Sequence, residues 1–222
     1  MADNSAGAAS TPATTPIEAP LPDCKPLPQP ELTAEQERKY DALLKSVQGF
    51  SEVQCAKEPA KSGSITETEQ EWLTKDCLLR YLRATKWNVD EASKRLASTL
   101  VWRREYGLYD FTADYISPEQ ETGKELLLGF DKLGQPCQYM TPGRQNTDVS
   151  PRQIHHLFFI IERTVDLMPP GVEKMSLMIN FKPTKKRQNT SVGISTAREV
   201  LHILQHHYPE RLGKALIING KH

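Results

Sequence analysis

The sequence lacks a surplus of either charge, since its 222 residues carry 28 Lys and Arg against 28 Asp and Glu. This balance argues against nucleic-acid binding, which relies on an excess of positive charge. The sequence also lacks any apolar run near the ~20 residues that a membrane-spanning helix needs. Its N-terminus has neither the basic and apolar regions of a secretory signal nor the arginines of a mitochondrial presequence. We therefore expect a cytoplasmic protein.

Cysteine is scarce as well. Cys24, Cys55, Cys77 and Cys137 lie far apart, and no two of them form a CxxC pair. This spacing favours free thiols in a reducing compartment over disulfides or a zinc site.

Motifs for two enzyme classes are missing or incomplete. Neither GxGxxG nor GxxxxGK[ST] follows a predicted strand, so a nucleotide enzyme has no support. A zinc enzyme remains as an alternative, because His202 and His206 are four residues apart on a predicted helix, with His207 beside them and His155-His156 elsewhere. However, no glutamate follows His202 as in HExxH, and no third ligand is evident. We favour surface histidines, and we predict no metal and no cofactor.

Composition divides the chain into three parts. Residues 1–30 are rich in Ala, Thr and Pro with almost no large apolar side chains, which predicts a disordered tail. Residues 31–115 predict an all-helical lobe. Residues 116–222 predict a second lobe of strands and helices, after a change in composition near Ser117-Pro118.

The helical lobe is predicted from three N-terminal capping signals, each followed by apolar residues at helical spacing. Glycines end the first and third helices, whereas the second is predicted to run unbroken to Lys86. Residues 55–64 are predicted to be a loop from their composition. The capping pairs are Thr33 with Gln36, Thr66 with Glu69 and Asn88 with Glu91, and the terminal glycines are Gly49 and Gly107.

The second lobe is predicted to contain a sheet. Residues 125–130 and 136–140 indicate two strands around a turn, and Ser150-Pro151 begins an amphipathic helix. The apolar runs 174–181 and 215–218 are typical of buried strands, and a helix between them completes a βαβ unit in a parallel sheet. Within this βαβ unit, the charged turn 209–214 is the predicted position of the functional site. The predicted inward face of the helix comprises Ile194, Ala197, Val200, Leu201 and Leu204.

Four segments together resemble the CRAL-TRIO family. DCLLRYLRATKW (76–87) resembles its LLRFLRARKF signature, and LVWRREYG (100–107) resembles the WR…YG end of its N-terminal lobe. GFDKLGQP (129–136) resembles its D..GRPV hairpin, and residues 208–219 contain YPERLGK followed by IIN. All four occur in the family's order and spacing, over about residues 70–219. Further likeness, in segments 141–147 and 201–204, is to fungal phosphatidylinositol transfer proteins.

The resemblance implies a fold and an activity. The fold is a helical lobe followed by a mixed or parallel sheet with helices that encloses a large apolar pocket. The activity is lipid binding and transfer between membranes, with no bond chemistry, so no enzyme. The implied ligand is phosphatidylinositol, with a sterol-like molecule as a possible second ligand. The implied protein is a monomer that touches a membrane surface transiently, and an adaptor acting through the helical lobe is the alternative.

The resemblance also implies site residues. Glu210 takes the place of the family's headgroup glutamate, where a carboxylate can accept hydrogen bonds from inositol hydroxyls. Its alternatives are a solvated turn residue or a structural partner of Arg211 or Lys214. Thr85 replaces a signature arginine, and apolar residues replace hydroxyls of phosphatidylcholine-binding members, which disfavours that lipid. The pocket-lining candidates are Leu127, Gln138, Tyr139, Ile161, Met175, Leu177 and Ile179.

The C-terminal residues and the loop 182–187 lead to two further expectations. In the family, IIN is followed by a gate helix and more strands, whereas here Asn219 is followed by Gly220-Lys221-His222. We therefore expect a C-terminally truncated, lipid-free fragment, poorly soluble or molten by itself, as an alternative to a working transfer protein. The basic loop 182–187 is expected to be solvated, with contact to anionic lipid as the alternative.

Overall fold

The computed structural model describes residues 17–185 and 193–220, which form seven α-helices and two sheets within those ranges. The helices are α1 (Ala34–Gln48), α2 (Glu67–Trp72), α3 (Lys75–Ala84), α4 (Val89–Glu105), α5 (Ala113–Gln120), α6 (Pro151–Asp166) and α7 (Ile194–His207). The strands are β1 (Glu52–Val53), β2 (Gly63–Ser64), β3 (Glu125–Phe130), β4 (Pro136–Met140), β5 (Met175–Asn180) and β6 (Leu212–Ile218). No helix in these ranges is long and apolar enough to cross a membrane.

Local capping decides where the helices of the first lobe begin. Thr33 and Thr66 each form the predicted capping box, and the Asn88 side chain accepts a hydrogen bond from the Glu91 N–H at 3.1 Å. The predicted unbroken second helix is wrong. Thr74 Oγ1 accepts from the Cys77 N–H at 3.1 Å, and this additional N-cap starts α3 after α2 has ended.

The first lobe is not entirely helical. Strands β1 and β2 pair antiparallel, so the prediction that residues 55–64 are a loop is wrong for Gly63–Ser64, which form β2. The buried Arg104 on α4 holds this hairpin, because its guanidinium donates to the carbonyls of Gly63 at 3.1 Å and Ser64 at 2.7 Å. The same guanidinium binds the Glu69 carboxylate, which is fully buried. The β-hairpin therefore depends on one long-range arginine that no local pattern reveals.

The second lobe is built on one mixed sheet with strand order β3-β4-β5-β6. Strands β3 and β4 form the predicted antiparallel hairpin, with the predicted bounds. Strands β4, β5 and β6 are parallel, with α6 and α7 as the two crossovers. The predicted βαβ unit and parallel pairing are confirmed.

The prediction that the last apolar run is a buried strand is wrong. Strand β6 begins at Leu212, so it takes in the end of the predicted turn, and all seven of its residues are exposed. Among the described residues β6 pairs only with β5, which makes it an edge strand. The predicted inward face of α7 also differs, because Ile194 is 73% and Leu201 55% exposed, whereas Ile203 is the buried residue of this helix.

The ends of the lobes differ from the composition-based expectations. Helix α5 spans the predicted boundary after residue 115 and carries Pro118 within it. Residues 17–30, part of the predicted disordered tail, lie against the turn between β3 and β4. There the Lys25 N–H donates to the Lys132 carbonyl at 2.9 Å, and Gln29 Nε2 donates to the carbonyl of Gly171, between α6 and β5, at 2.9 Å. Prolines lower the entropy lost when such an extended segment is ordered. Residues 1–16 lie outside the described ranges.

Candidate functional site

A cavity of about 670 Å³ lies between the sheet and the helices α6 and α7. Gln138, Leu177 and Ala215 are in register across β4, β5 and β6, and all three side chains face the cavity. Alternate residues of a strand face the same side, so this face of the sheet forms a continuous floor. We call this space the apolar cavity. Most of its remaining wall is aliphatic, from Met140, Leu157, Ile161, Met175, Ile179, Val200, Leu201 and Leu204.

The structure brings most of the predicted lining residues together. Five of the seven candidates line the apolar cavity, namely Gln138, Ile161, Met175, Leu177 and Ile179. Tyr139 does not, because it follows Gln138 in the same strand and therefore points to the opposite face of the sheet. Leu127 pairs with Gln138 across the β3–β4 ladder but does not line the cavity either. The alternation of side chains between the two faces of β4 is the sequence signal that excludes Tyr139 from the cavity wall.

Sequence reasoning missed the part of the wall that comes from the helical lobe. Ala84 and Arg95 line the apolar cavity from α3 and α4. Arg95 Nε donates to the carbonyl of His206 at 2.9 Å, and Arg95 Nη2 donates to the carbonyl of Gln205. These bonds satisfy carbonyls at the C-terminus of α7 and fix the helical lobe against the cavity. Nothing local in the α4 sequence indicates this contact.

Glu210 lies at the edge of the apolar cavity, directly before β6. Its backbone has φ of 57°, a left-handed conformation that turns the chain sharply between α7 and β6. Arg83 Nε donates to Glu210 Oε2 at 2.6 Å, and Arg83 Nη2 donates to Glu173 Oε2 at 2.7 Å. The partner of Glu210 is thus Arg83, and not Arg211 or Lys214. The arginine comes from the LLRFLRARKF-like signature and the glutamate from the YPER segment.

Thr85 occupies the position of the missing signature arginine. It is buried, and its hydroxyl donates to the Tyr81 carbonyl at 2.9 Å. Thr85 is the C-cap residue of α3, and its hydroxyl bonds to the helix backbone. The positive charge that meets Glu210 is therefore that of Arg83, two residues earlier.

One polar side chain reaches the apolar cavity from a buried cluster. Gln138 is fully buried, and its Nε2 donates to Glu125 Oε2 at 3.1 Å. Its Oε1 has no hydrogen-bond partner among the described residues. Burial raises the pKa of Glu125 to about 7, and burial lowers the pKa of the neighbouring His156 to about 4. His156 is therefore uncharged near neutral pH, and Glu125 loses its proton only as the pH rises through about 7, because burial disfavours the charged form of both groups.

The histidines of the zinc alternative are not gathered around one point. The His202 and His206 rings lie 4.6 Å apart on α7, but His207 stacks on Trp102 at 4.3 Å and its Nδ1 shares a hydrogen bond with Thr99 Oγ1 at 2.9 Å. Across residues 17–185 and 193–220, no three His, Cys, Asp or Glu side chains are grouped as a metal site. The four cysteines lie in these ranges, and none forms a disulfide.

Comparison with family models gives two matches in chain order. The model described as "CRAL/TRIO, N-terminal domain" matches residues 39–98, and the model described as "CRAL/TRIO domain" matches residues 120–220. The first match covers most of α1, all of α2 and α3, and the first part of α4, and the second covers the four-stranded sheet and both of its crossovers. Together they include every element that lines the apolar cavity.

Individual relatives agree with these matches. The chain is 51% identical over 205 residues to a CRAL-TRIO domain-containing protein of Schizosaccharomyces pombe, and 39% identical over 212 residues to the phosphatidylinositol transfer protein PDR17 of Saccharomyces cerevisiae. These alignments cover 92% and 87% of the chain, but only 20% and 60% of the two relatives. The crystal structure of Sfh5 has the same fold, with a TM-score of 0.57 at 15% identity over 87% of this chain and 73% of that one.

Proposed function

The chain belongs to the CRAL/TRIO family, and we propose that it binds a membrane lipid and transfers it between membranes without making or breaking a covalent bond. The observation that carries this proposal is the apolar cavity of about 670 Å³, floored by three strands and walled by α6 and α7. An apolar space of this size suits acyl chains or a fused-ring lipid, because burying their surface is the main source of binding free energy.

The proposed ligand is phosphatidylinositol, with a sterol-like molecule as a second ligand. Glu210 supports the first, since a carboxylate at the cavity edge can accept hydrogen bonds from inositol hydroxyls. Leu177 and Met175 support the second, because their side chains leave the cavity floor without hydroxyl groups. The relative named as a phosphatidylinositol transfer protein, 39% identical to this chain, agrees with the first choice.

The proposed setting is the cytoplasm, with transient contact to a membrane surface. Lys182 and Lys185 lie on the loop after β5 and are exposed. Each lysine near an anionic leaflet contributes up to ~1 kcal/mol of attraction. Lys186 and Arg187, the other basic residues predicted for this loop, lie outside the described residues.

Lipid analysis of the purified protein tests the proposal. The protein is expressed in a fungal host, and its extract is examined by mass spectrometry before and after incubation with vesicles that contain phosphatidylinositol and sterol. Stoichiometric phosphatidylinositol or sterol is the expected result. Protein that stays empty in both samples, while a folded control family member loads, contradicts lipid transfer and favours an adaptor that acts through the helical lobe.

A further inference from the structure

A second cavity, of about 490 Å³, lies on the other side of Tyr208 and Arg211 from the apolar cavity. We call it the polar cavity. Helices α2, α3, α4 and α6 enclose it together with the segment between α7 and β6. Four arginines line it: Arg80, Arg103 and Arg211 on its inner wall, and the exposed Arg163 at its mouth. Three carboxylates also line it, but Glu71 and Asp166 are exposed, so Glu162 is the carboxylate that faces the three inner arginines.

The single inner carboxylate is already bound. Arg103 donates to both Glu162 oxygens, at 3.1 and 2.7 Å, in a bidentate pair. The Tyr208 hydroxyl donates to Glu162 Oε1 at 2.7 Å. Although burial lowers the pKa of Arg103, Glu162 raises it above its usual range. The negative charge of Glu162 is therefore committed to Arg103.

Arg80 has no carboxylate partner within residues 17–185 and 193–220. It is only 3% exposed, its Nη1 donates to the Pro209 carbonyl at 3.3 Å, and its Nε has no partner among the described residues. A buried charge without a counter-charge is destabilising, and an orphaned N–H adds a desolvation cost.

Arg211 faces the same situation. Its Nη1 donates to the Glu173 carbonyl at 3.0 Å and to Met168 Sδ at 3.2 Å, and both acceptors are neutral. Burial, followed by the positive charge of Arg80, lowers the pKa of Arg211 to about 10. Two guanidinium groups thus repel each other in a buried space, and the Glu173 carboxylate nearby is bound to Arg83.

We propose that the polar cavity binds a phosphate group between Arg80 and Arg211. Guanidinium groups match the geometry of phosphate oxygens and bind them through paired, charge-assisted hydrogen bonds. A phosphate there neutralises both arginines and accepts the orphaned Nε–H of Arg80. The group is carried either by a soluble phosphate or by a phospholipid, because Tyr208 and Arg211 also line the apolar cavity.

The mouth of the polar cavity restricts what can enter. Glu71 and Asp166 are exposed there, together with Arg163, which pairs with Asp166 at 3.0 Å. The mouth has a net negative charge, which opposes the approach of highly charged polyphosphates. A single phosphate group is the ligand that best suits both the mouth and the interior.

Calorimetric titration with inorganic phosphate, at constant ionic strength, tests the site. The lipid content of the same preparation is determined separately, so that failure of lipid loading leaves this result readable. We compare the wild type with Arg80→Lys, which keeps the charge but loses the fork of donors, and with Arg38→Lys on the exposed face of α1 as a matched control. Arg80→Lys is expected to weaken phosphate binding by about tenfold or more, and Arg38→Lys to leave it unchanged.

Two further readouts make each outcome decisive. The Arg80 Nε–H resonance of the wild type must shift when phosphate is added, and this measurement needs no variant. If free phosphate does not bind but the phosphorus resonance of a bound phospholipid differs between the wild type and Arg80→Lys, the phosphate is that of the lipid. The proposal is overturned if neither free phosphate nor the phosphate of a bound lipid shifts the Arg80 Nε–H resonance. It is also overturned if Arg80→Lys binds phosphate as tightly as the wild type and Arg38→Lys do.

Discussion

Glu125 Oε1 lies 3.9 Å from Nδ1 of His156, and both side chains are buried beneath the sheet. His156 Nε2 donates to Gln120 Oε1, so Nδ1 carries no proton and has no hydrogen-bond partner among the described residues. A protonated Glu125 can donate to this nitrogen after a shift of less than about 1 Å, within the range of ordinary hydrogen bonds. When Glu125 carries a proton and His156 is protonated only at Nε2, both side chains of the pair are neutral.

Glu125 should make the stability of the protein depend on pH. Because burial raises its pKa to about 7 from 4.5, the folded protein keeps a proton that the unfolded chain has lost. This contribution to stability is fully present below pH 4.5 and is lost as the pH rises through 7. We expect Glu125→Gln to gain roughly 3 kcal/mol in free energy of unfolding, relative to the wild type, between pH 4.5 and 8.

Urea denaturation at a series of pH values measures this difference. The lowered pKa of His156, about 4, gives stability that rises with pH in both proteins, so it largely cancels in the comparison. Parallel stability curves for the two proteins would show that Glu125 ionises normally in the fold.

The floor of the apolar cavity should control lipid loading. Leu177→Trp places a large ring into the cavity, whereas Met178→Trp places the same ring on the opposite face of β5. The steric cost of overpacking is ~1–3 kcal/mol, so we expect the first variant to bind lipid about tenfold more weakly and the second to bind normally. Lipid bound per protein, measured by mass spectrometry, checks this result. Equal losses in both variants would place the lipid elsewhere.

Glu210 should distinguish one lipid from another. Glu210 and Glu173 both bind Arg83, but only Glu210 lines the apolar cavity. Glu210→Gln is expected to lower phosphatidylinositol loading about tenfold, since it weakens hydrogen bonds to a charged acceptor, and to leave sterol loading unchanged. Glu173→Gln serves as the matched control and should load both lipids normally. If the two variants lose phosphatidylinositol equally, Glu210 acts only through its ion pair with Arg83.

The Glu69–Arg104 pair should be a major source of stability in the helical lobe. Arg104 Nη2 donates to Glu69 Oε2 at 2.6 Å, and Glu69 has no exposed surface. Glu69→Ala leaves Arg104 buried without a counter-charge, which typically costs about 3–5 kcal/mol. The exposed Glu71 on the same helix provides the control, since Glu71→Gln should change stability by no more than ~0.5 kcal/mol. Thermal and urea unfolding measure both, and a small effect of Glu69→Ala would mean that water solvates Arg104.

Local signals in the sequence predicted the parts of the fold that depend on neighbouring residues. Thr33 and Thr66 form their capping boxes because the donors they satisfy lie within three residues. The bounds of β3 and β4 and the parallel order of β5 and β6 follow from short apolar runs and the joins between them. Five of the seven lining candidates that the family resemblance implies line the apolar cavity, whereas Tyr139 points to the opposite face of the sheet and Leu127 does not line the cavity.

The sequence by itself determined the family, the order of helices and strands, and the apolar character of the cavity floor. Only the tertiary structure decided which charges meet: Arg83 pairs with Glu210 and Arg104 with Glu69, whereas Arg80 meets no carboxylate in the part of the chain that the structure describes. It also decided that β6 is an exposed edge strand in the described structure, although its sequence is as apolar as that of a buried one. The physical reason is distance along the chain. Caps and strands arise from interactions within a few residues, whereas ion pairs and burial depend on segments more than 30 residues apart, such as the 35 between Glu69 and Arg104.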